Sequence, residues 1–241
     1  MTIIYSTRTA KVHKNSVQNY SIHFDLIKNL HVETSTLLNL WNIFATSGYY
    51  FPFSQPVMND DQQMIVTFNA DSVVSLRSFL RSSQQTLKFN DASVFTSQIF
   101  PFFMNLEVIN VTAPFVSLDD FVVVKRNNQL FLVFIAIDNI FPIQNSNGVK
   151  EITFYSPIPV FDFGSPELLT IKKIPDKINY KSYLFSLASL ISFCVSDKRN
   201  RHNTIENLKT NVFSMKRKEL NKYFISLLSN IKFTKIYWSL I

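Results

Sequence analysis

Three aspartates flank two apolar runs and are the side chains of this sequence best suited to chemistry. Asp119 and Asp120 precede the run at residues 121–124, and Asp138 follows the run at residues 130–137. Carboxylates are the hard oxygen ligands that Mg²⁺ prefers, and a positioned carboxylate can serve as a general base. A structural interpretation is also open, because an Asp–Asp pair is typical of a turn at the start of a strand.

Other chemistries find less support in the residues. The four histidines show no metal-ligand spacing with acids or with Cys194; they are His13, His23, His31 and His202. Cys194 lies in an apolar run, which indicates an inert core thiol. A single cysteine excludes an intramolecular disulfide and suits a reducing compartment. The sequence also has no nucleophile elbow and no phosphate-binding glycine loop.

The composition favours a folded protein that stays inside the cell. Hydrophobic residues make up 46% of the chain and charged residues 17%, which is ample for a core. The net charge of +7 permits contact with anions, but the basic clusters at residues 198–202 and 216–218 lack interleaved aromatics. We therefore expect a protein partner rather than nucleic acid. No apolar stretch is long enough to span a bilayer, so we expect no membrane insertion.

Periodicity predicts the elements that position these residues. The first half should hold strands at 2–13 and 64–68, a helix at 17–44, a capping turn at 69–72 before a helix to about residue 81, and a helix after Asn90–Asp91 that contains Pro101. The second half should hold a hairpin with strands at 121–124 and 130–137, a Pro-rich loop at 142–159, a helix beginning at Ser165–Pro166–Glu167, and helices at 180–196, 204–214 and 216–230.

This order predicts an α+β protein rather than a doubly wound sheet, because strands and helices do not alternate. A small sheet with one long helix comes first, and a mainly helical half with an inserted hairpin follows. Two unequal lobes, residues 1–68 and 69–241, are the simplest arrangement.

The order of elements resembles the bilobal protein kinase fold, with a reduced N-lobe sheet and a mainly helical C-lobe. It is most similar to the divergent serine/threonine kinase-like proteins of large DNA viruses. The segments that carry the resemblance are 10–14, 31–38, 74–80, 117–124, 164–169, 180–188 and 234–238. If the chain is viral, the resemblance implies the host cytoplasm or the virion as its location.

The resemblance also implies roles for single residues. Lys11 would hold nucleotide phosphates and Glu33 would pair with it. Asp120 would take the place of a metal-binding asparagine, with Asp119 beside it as a substitute catalytic base, and Asp138 would be the second metal-binding carboxylate. ATP and Mg²⁺ would be the cofactors, if nucleotide binding is retained.

Several replacements depart from an active kinase. No glycine precedes Gly48, so the glycine-rich phosphate cradle is missing. The place of the catalytic base falls near Phe115, which cannot accept a proton, and losing a general base costs about 10²–10⁴-fold in rate. The literal Asp162–Phe163–Gly164 directly abuts Ser165, which leaves no room for an activation segment and indicates a turn. Tyr183 stands where an aspartate normally anchors the catalytic loop.

Three hypotheses follow. The first is a pseudokinase that acts as a binding scaffold, and the second is an active but unorthodox kinase that uses Lys11, Glu33, Asp120 and Asp138. The third is a structural or assembly protein of a virus particle, with its many phenylalanines making contacts.

Overall fold

The computed structural model describes residues 1–28, 31–40, 43, 53–83, 87–156, 163–171 and 173–195. These residues form a mixed α/β fold with several antiparallel sheets. The predicted helices at 204–214 and 216–230 and the segment 234–238 lie outside the described residues, as does Asp162. No helix in the described ranges is both long and apolar enough to cross a membrane.

The first sheet has five strands in the order β1-β2-β3-β5-β4. Its strands are β1 (Thr2–Ser6), β2 (Ala10–Lys14), β3 (Asn19–Asp25), β4 (Val57–Met58) and β5 (Gln63–Asn69). All neighbouring pairs are antiparallel. Alternate side chains of β3 and β5, such as Ile22 and Val66, are buried on one face. This alternation confirms the predicted strand at 64–68.

The predicted helix at 17–44 is wrong over its first part, because residues 19–25 form β3. Tyr20 and Phe24 are four residues apart, a spacing that fits both a helix and a strand. Ile22 between them is also fully buried, and only a period of two places all three on one face. Helix α1 (Thr34–Leu38) lies within the predicted range and buries Leu37.

Three strands form a second sheet in the order β6-β8-β9. They are β6 (Ser72–Ser75), β8 (Phe121–Arg126) and β9 (Gln129–Phe134). The predicted hairpin is confirmed, and its turn residues Asn127 and Asn128 have positive φ values of 49° and 61°. Asparagine tolerates this left-handed backbone better than most residues, and two such residues match the twist of a tight hairpin.

The capping turn predicted at 69–72 is displaced by the strand β6, which precedes the helix α2 (Leu76–Ser82). Ser75 caps this helix, since its hydroxyl accepts a 3.2 Å hydrogen bond from the Ser78 amide. The helix α3 (Phe89–Val108) follows and contains Pro101, as predicted.

Two smaller sheets, one of two strands and one of three, complete the sheet structure. β7 (Val111–Thr112) pairs with β10 (Phe141–Pro142), and β11 (Gln144–Ser146), β12 (Val149–Phe154) and β13 (Asp176–Asn179) form a third sheet. The loop predicted at 142–159 is therefore wrong: it contains β11 and β12, joined through Asn147 and Gly148 at positive φ. The prolines in this segment predict a loop, but the adjacent Asn147 and Gly148 are a strong signal for a hairpin turn.

Two further helices come after β12 in the chain. They are α4 (Pro166–Thr170), with proline in its first turn as predicted, and α5 (Ser182–Val195), close to the predicted 180–196. One large apolar cluster includes Val12 and Ile22 of the first sheet, Phe103 of α3 and Leu187 of α5. It continues across the predicted boundary between residues 68 and 69, and that boundary stays a prediction.

Candidate functional site

The acidic pair Asp119–Asp120 lies in a 3-10 turn, Leu118–Asp120, at the start of β8. Ser117 caps this turn: its hydroxyl accepts a hydrogen bond from the Asp119 amide at 3.2 Å. In return, the Ser117 amide donates to Asp120 Oδ2 at 2.6 Å, which completes a capping box. The pair therefore lies in a turn before a strand, in agreement with the structural interpretation.

Asp120 is a buried carboxyl with few polar contacts. Its side chain accepts a second hydrogen bond from Asn139 Nδ2 at 3.1 Å. Burial raises the pKa of Asp120 to about 7, because removal from water penalises the charged form, and the nearby negative charge of Asp138 raises it further. The hydrogen bonds from Ser117 and Asn139 act in the opposite direction and only partly offset the burial. A substantial fraction of Asp120 is consequently neutral near pH 7.

Asp119 points away from its neighbour and is tied to α2 and β1. Arg77 donates to both carboxylate oxygens, at 2.8 Å from Nε to Oδ1 and 2.7 Å from Nη2 to Oδ2. The hydrogen-bonded Arg77 guanidinium holds the pKa of Asp119 below its usual range despite partial burial. The Tyr5 hydroxyl donates to the Asp119 carbonyl oxygen at 2.7 Å. Asp119 therefore links three elements, namely the 3-10 turn that contains it, α2 and β1.

Asp138 follows β9 in a 3-10 turn, Ile137–Asn139. Its Oδ1 accepts a 2.8 Å hydrogen bond from the hydroxyl of Thr9, which is 1% exposed. Thr9 belongs to the turn between β1 and β2, and its carbonyl oxygen accepts the Asp25 amide at 2.7 Å. The turn of the first hairpin therefore rests directly on the carboxylate after β9.

His31 lies beside the same junction. Its ring stacks on Phe141 with centroids 4.1 Å apart. Burial lowers the pKa of His31, and the positive charge of Arg8 adds to this effect while Asp138 opposes it. Arg8 and Asp138 therefore act on the same ring from the first hairpin and from the end of β9.

The structure does not bring Lys11 and Glu33 together. Lys11 is exposed on β2 opposite His23, on the other side of the strand from the buried Val12. Glu33 is exposed before α1, where its Oε2 accepts a 3.4 Å hydrogen bond from the Ser35 hydroxyl. Across the described part of the chain, no ion pair links these two residues. Their predicted roles in nucleotide binding receive no geometric support.

The remaining replacements also form packed contacts. Phe115, which the resemblance would put at the place of a catalytic base, is buried with its ring 5.7 Å from that of Phe141. Tyr183 donates from its hydroxyl to Glu107 Oε1 at 2.5 Å. One turn later on α5, the Ser186 hydroxyl donates to the Pro114 carbonyl oxygen at 3.1 Å. Helix α5 thus anchors the segment before β8 through Ser186 rather than through Tyr183.

Sequence reasoning missed the residues that bind these carboxylates: Tyr5, Thr9, Arg77 and Asn139. Asn139 is adjacent to Asp138, so its proximity could have been foreseen. Thr9 and Asp138 are separated by 129 residues, and Arg77 and Asp119 by 42. A pattern among neighbouring residues cannot predict contacts over such distances in the sequence.

These residues do not fit a nucleotide-bound divalent cation. The described part of the chain holds no group of three or more His, Cys, Asp or Glu side chains arranged to bind a metal. Asp120 is buried, and its Oδ2 already accepts hydrogen bonds from Ser117 and Asn139. One oxygen of Asp138 is already bound by Thr9. No catalytic step through ATP or Mg²⁺ is derived from this site.

No protein-family model matches the chain, and no curated protein sequence matches it.

Proposed function

We propose that this protein is a degenerate, kinase-like binding scaffold, a pseudokinase with a bilobal arrangement. The order of elements supports the proposal: a five-stranded sheet with α1 inserted before β4, the long helix α3, and a hairpin framed by acidic 3-10 turns. In the resembling family, a metal-binding asparagine precedes this hairpin and a metal-binding aspartate follows it. Asp120 and Asp138 occupy those two ends.

One observation carries the scaffold interpretation. Protein groups bind one oxygen of each carboxylate, with Thr9 on Asp138 Oδ1 and with Ser117 and Asn139 on Asp120 Oδ2. The Thr9 hydroxyl comes from the turn between β1 and β2, directly before the strand that carries Lys11. A hydroxyl on a carboxylate gives a stable internal contact and contributes no phosphate cradle.

The test is thermal unfolding with and without Mg-ATP. A ligand present at about 100 times its dissociation constant stabilises a protein by ~2.7 kcal/mol. For a chain of this size that corresponds to a shift in Tm of roughly 5–10 °C. We expect no such shift for the unsubstituted protein, and no shift for the variants D138N and D60N. Asp60 is an exposed carboxylate in the turn after β4 and serves as a matched control.

A Mg²⁺-dependent rise in Tm that D138N abolishes and D60N retains would contradict the proposal. The same holds for phosphoryl transfer to a generic protein substrate that is lost in D120A. Either result would favour the active-kinase alternative, in which the Thr9 contact must open before nucleotide binds.

A further inference from the structure

Two histidines lie in contact on the face of the first sheet that points away from the large apolar cluster. His13 of β2 and His23 of β3 have ring centroids 4.2 Å apart, with the planes tilted by 38°. They alternate with Val12 and Ile22, which are buried in the cluster. His23 Nε2 is 3.0 Å from the Ser21 hydroxyl. We call this pair and Lys11 the outer histidine patch.

His13 is buried without polar support. Its side chain is only 7% exposed although it lies on the outward side of the sheet. Neither of its ring nitrogens has a hydrogen-bond partner within the described residues. A neutral imidazole can occupy such a position at a modest cost in free energy. Burying an imidazolium without a hydrogen-bond partner costs much more.

The charges facing this pair are mainly positive. Lys11 lies directly across from His23 in the β2–β3 register, and the Met1 amino group also acts on His13. Lys14 lies on the opposite face of the sheet, over the Tyr20 ring at 6.0 Å. The acid on the patch side of β3 is Asp25, which pairs with Lys28 at 2.8 Å.

The neighbouring strands add no opposite charge. On β1, Ile3 is the residue opposite His13, and the strand has no charged side chain. On β5, Ile65 lies opposite His23 and Thr67 opposite Ser21. A proton added to either ring therefore meets lysine and histidine rather than a carboxylate.

These surroundings set the sign of the pH dependence. Burial is the main cause that lowers the pKa of His13 and of His23 below the ordinary value of 6.5, and Lys11 lowers both further. A lowered pKa means that the folded state favours the neutral ring. The stability that each ring contributes is therefore complete above 6.5 and is lost as the pH falls below that value.

We propose that the outer histidine patch is an acid-sensitive latch, which holds β1 against the sheet at neutral pH and releases it as the pH falls. When His13 takes up a proton, the ring must leave its buried position to be solvated. Among the described strands β1 lies at the edge of the sheet and pairs with β2 alone, and its Ile3 lies opposite His13. Opening at this register detaches β1 and breaks the hydrogen bond from Tyr5 to Asp119.

Hydrogen–deuterium exchange of the full chain tests the latch. Protection factors of amides in residues 2–14, corrected for intrinsic exchange, are compared at about pH 7.5 and about pH 5. We expect protection in these residues to fall at least about tenfold at the lower pH, with smaller changes in α3. The variant H13F, which keeps a ring but cannot take up a proton, should lose less protection at the lower pH than the unsubstituted protein, because only His23 of the pair can still take up a proton.

Imidazole NMR of the unsubstituted protein gives a second readout that needs no variant. The titration of His13 should coincide with the loss of protection in β1. The latch is disproved if β1 stays protected at about pH 5, if H13F opens like the unsubstituted protein, or if His13 titrates while β1 remains protected.

Discussion

At the scale of a single residue, the raised pKa of Asp120 leads to a testable prediction. Its pKa in the folded protein, about 7, lies above the ordinary value of 3.8, so the neutral form stabilises the fold. That stability is present below pH 3.8 and is lost as the pH rises through 7. D120N keeps a carbonyl oxygen for the Ser117 amide and removes the buried charge. We expect D120N to be more stable than the unsubstituted protein at pH 8 by roughly 1–3 kcal/mol, with little difference at about pH 3.

Urea denaturation at the two pH values measures this difference, and D60N provides the control because its carboxylate is exposed. If D120N instead lowers stability at pH 8, the ionised carboxylate has a favourable partner and the burial argument fails.

The sequence predicted part of this site at the residue scale. The resemblance to kinases singled out Asp119, Asp120 and Asp138, and the latter two do lie close enough to influence each other. The donors Thr9, Arg77 and Tyr5 are distant in sequence from these carboxylates. The contacts of Thr9 and Tyr5 depend on how the first sheet packs against later elements, and that of Arg77 depends on how α2 packs against the turn before β8. Spacing along a chain contains no information on such packing.

At the scale of elements, Gln98 of α3 completes the open edge of β9. Its Nε2 donates to the Leu130 carbonyl oxygen at 3.0 Å, and its Oε1 accepts the Leu132 amide at 2.8 Å. The side-chain amide therefore pairs as another strand would, which protects an edge that could otherwise bind a second sheet.

The variant Q98M removes both hydrogen bonds while keeping the length of the side chain. We expect it to lower the free energy of unfolding by about 1–3 kcal/mol, because a buried backbone amide loses its partner. Q18M, at an exposed glutamine before β3, should change stability by less than about 0.5 kcal/mol. Equal effects of the two variants in urea denaturation would show that Gln98 does not stabilise this edge.

Elements were predictable where the local signals agreed. Two apolar runs joined by Asn127 and Asn128 specified the hairpin, since both the pattern and the turn residues point to it. β3 was mistaken for a helix because Tyr20 and Phe24 satisfy two periods at once. Pairing with β2 and β5 decides between those periods, and pairing is a property of the tertiary structure.

At the scale of the whole molecule, the mixed α/β class followed from composition and the order of elements. The arrangement into two kinase-like lobes stays a prediction. The large apolar cluster contains side chains from the first sheet, the hairpin, α3 and α5. Such a continuous core favours a single cooperative unfolding transition, whereas weakly attached lobes would unfold separately.

Thr9 tests whether the first sheet and the later elements unfold together. T9V keeps the shape of the side chain but removes the 2.8 Å hydrogen bond to Asp138, so we expect a loss of about 1–3 kcal/mol. T2V, at an exposed threonine of β1, is the matched control and should be nearly neutral. Hydrogen exchange in increasing urea compares amides of β3 with amides of α3. In a single cooperative unit, T9V shifts both sets to lower urea equally, because the contact stabilises the whole core. Earlier opening of β3 alone would instead establish two units joined at the Thr9–Asp138 contact.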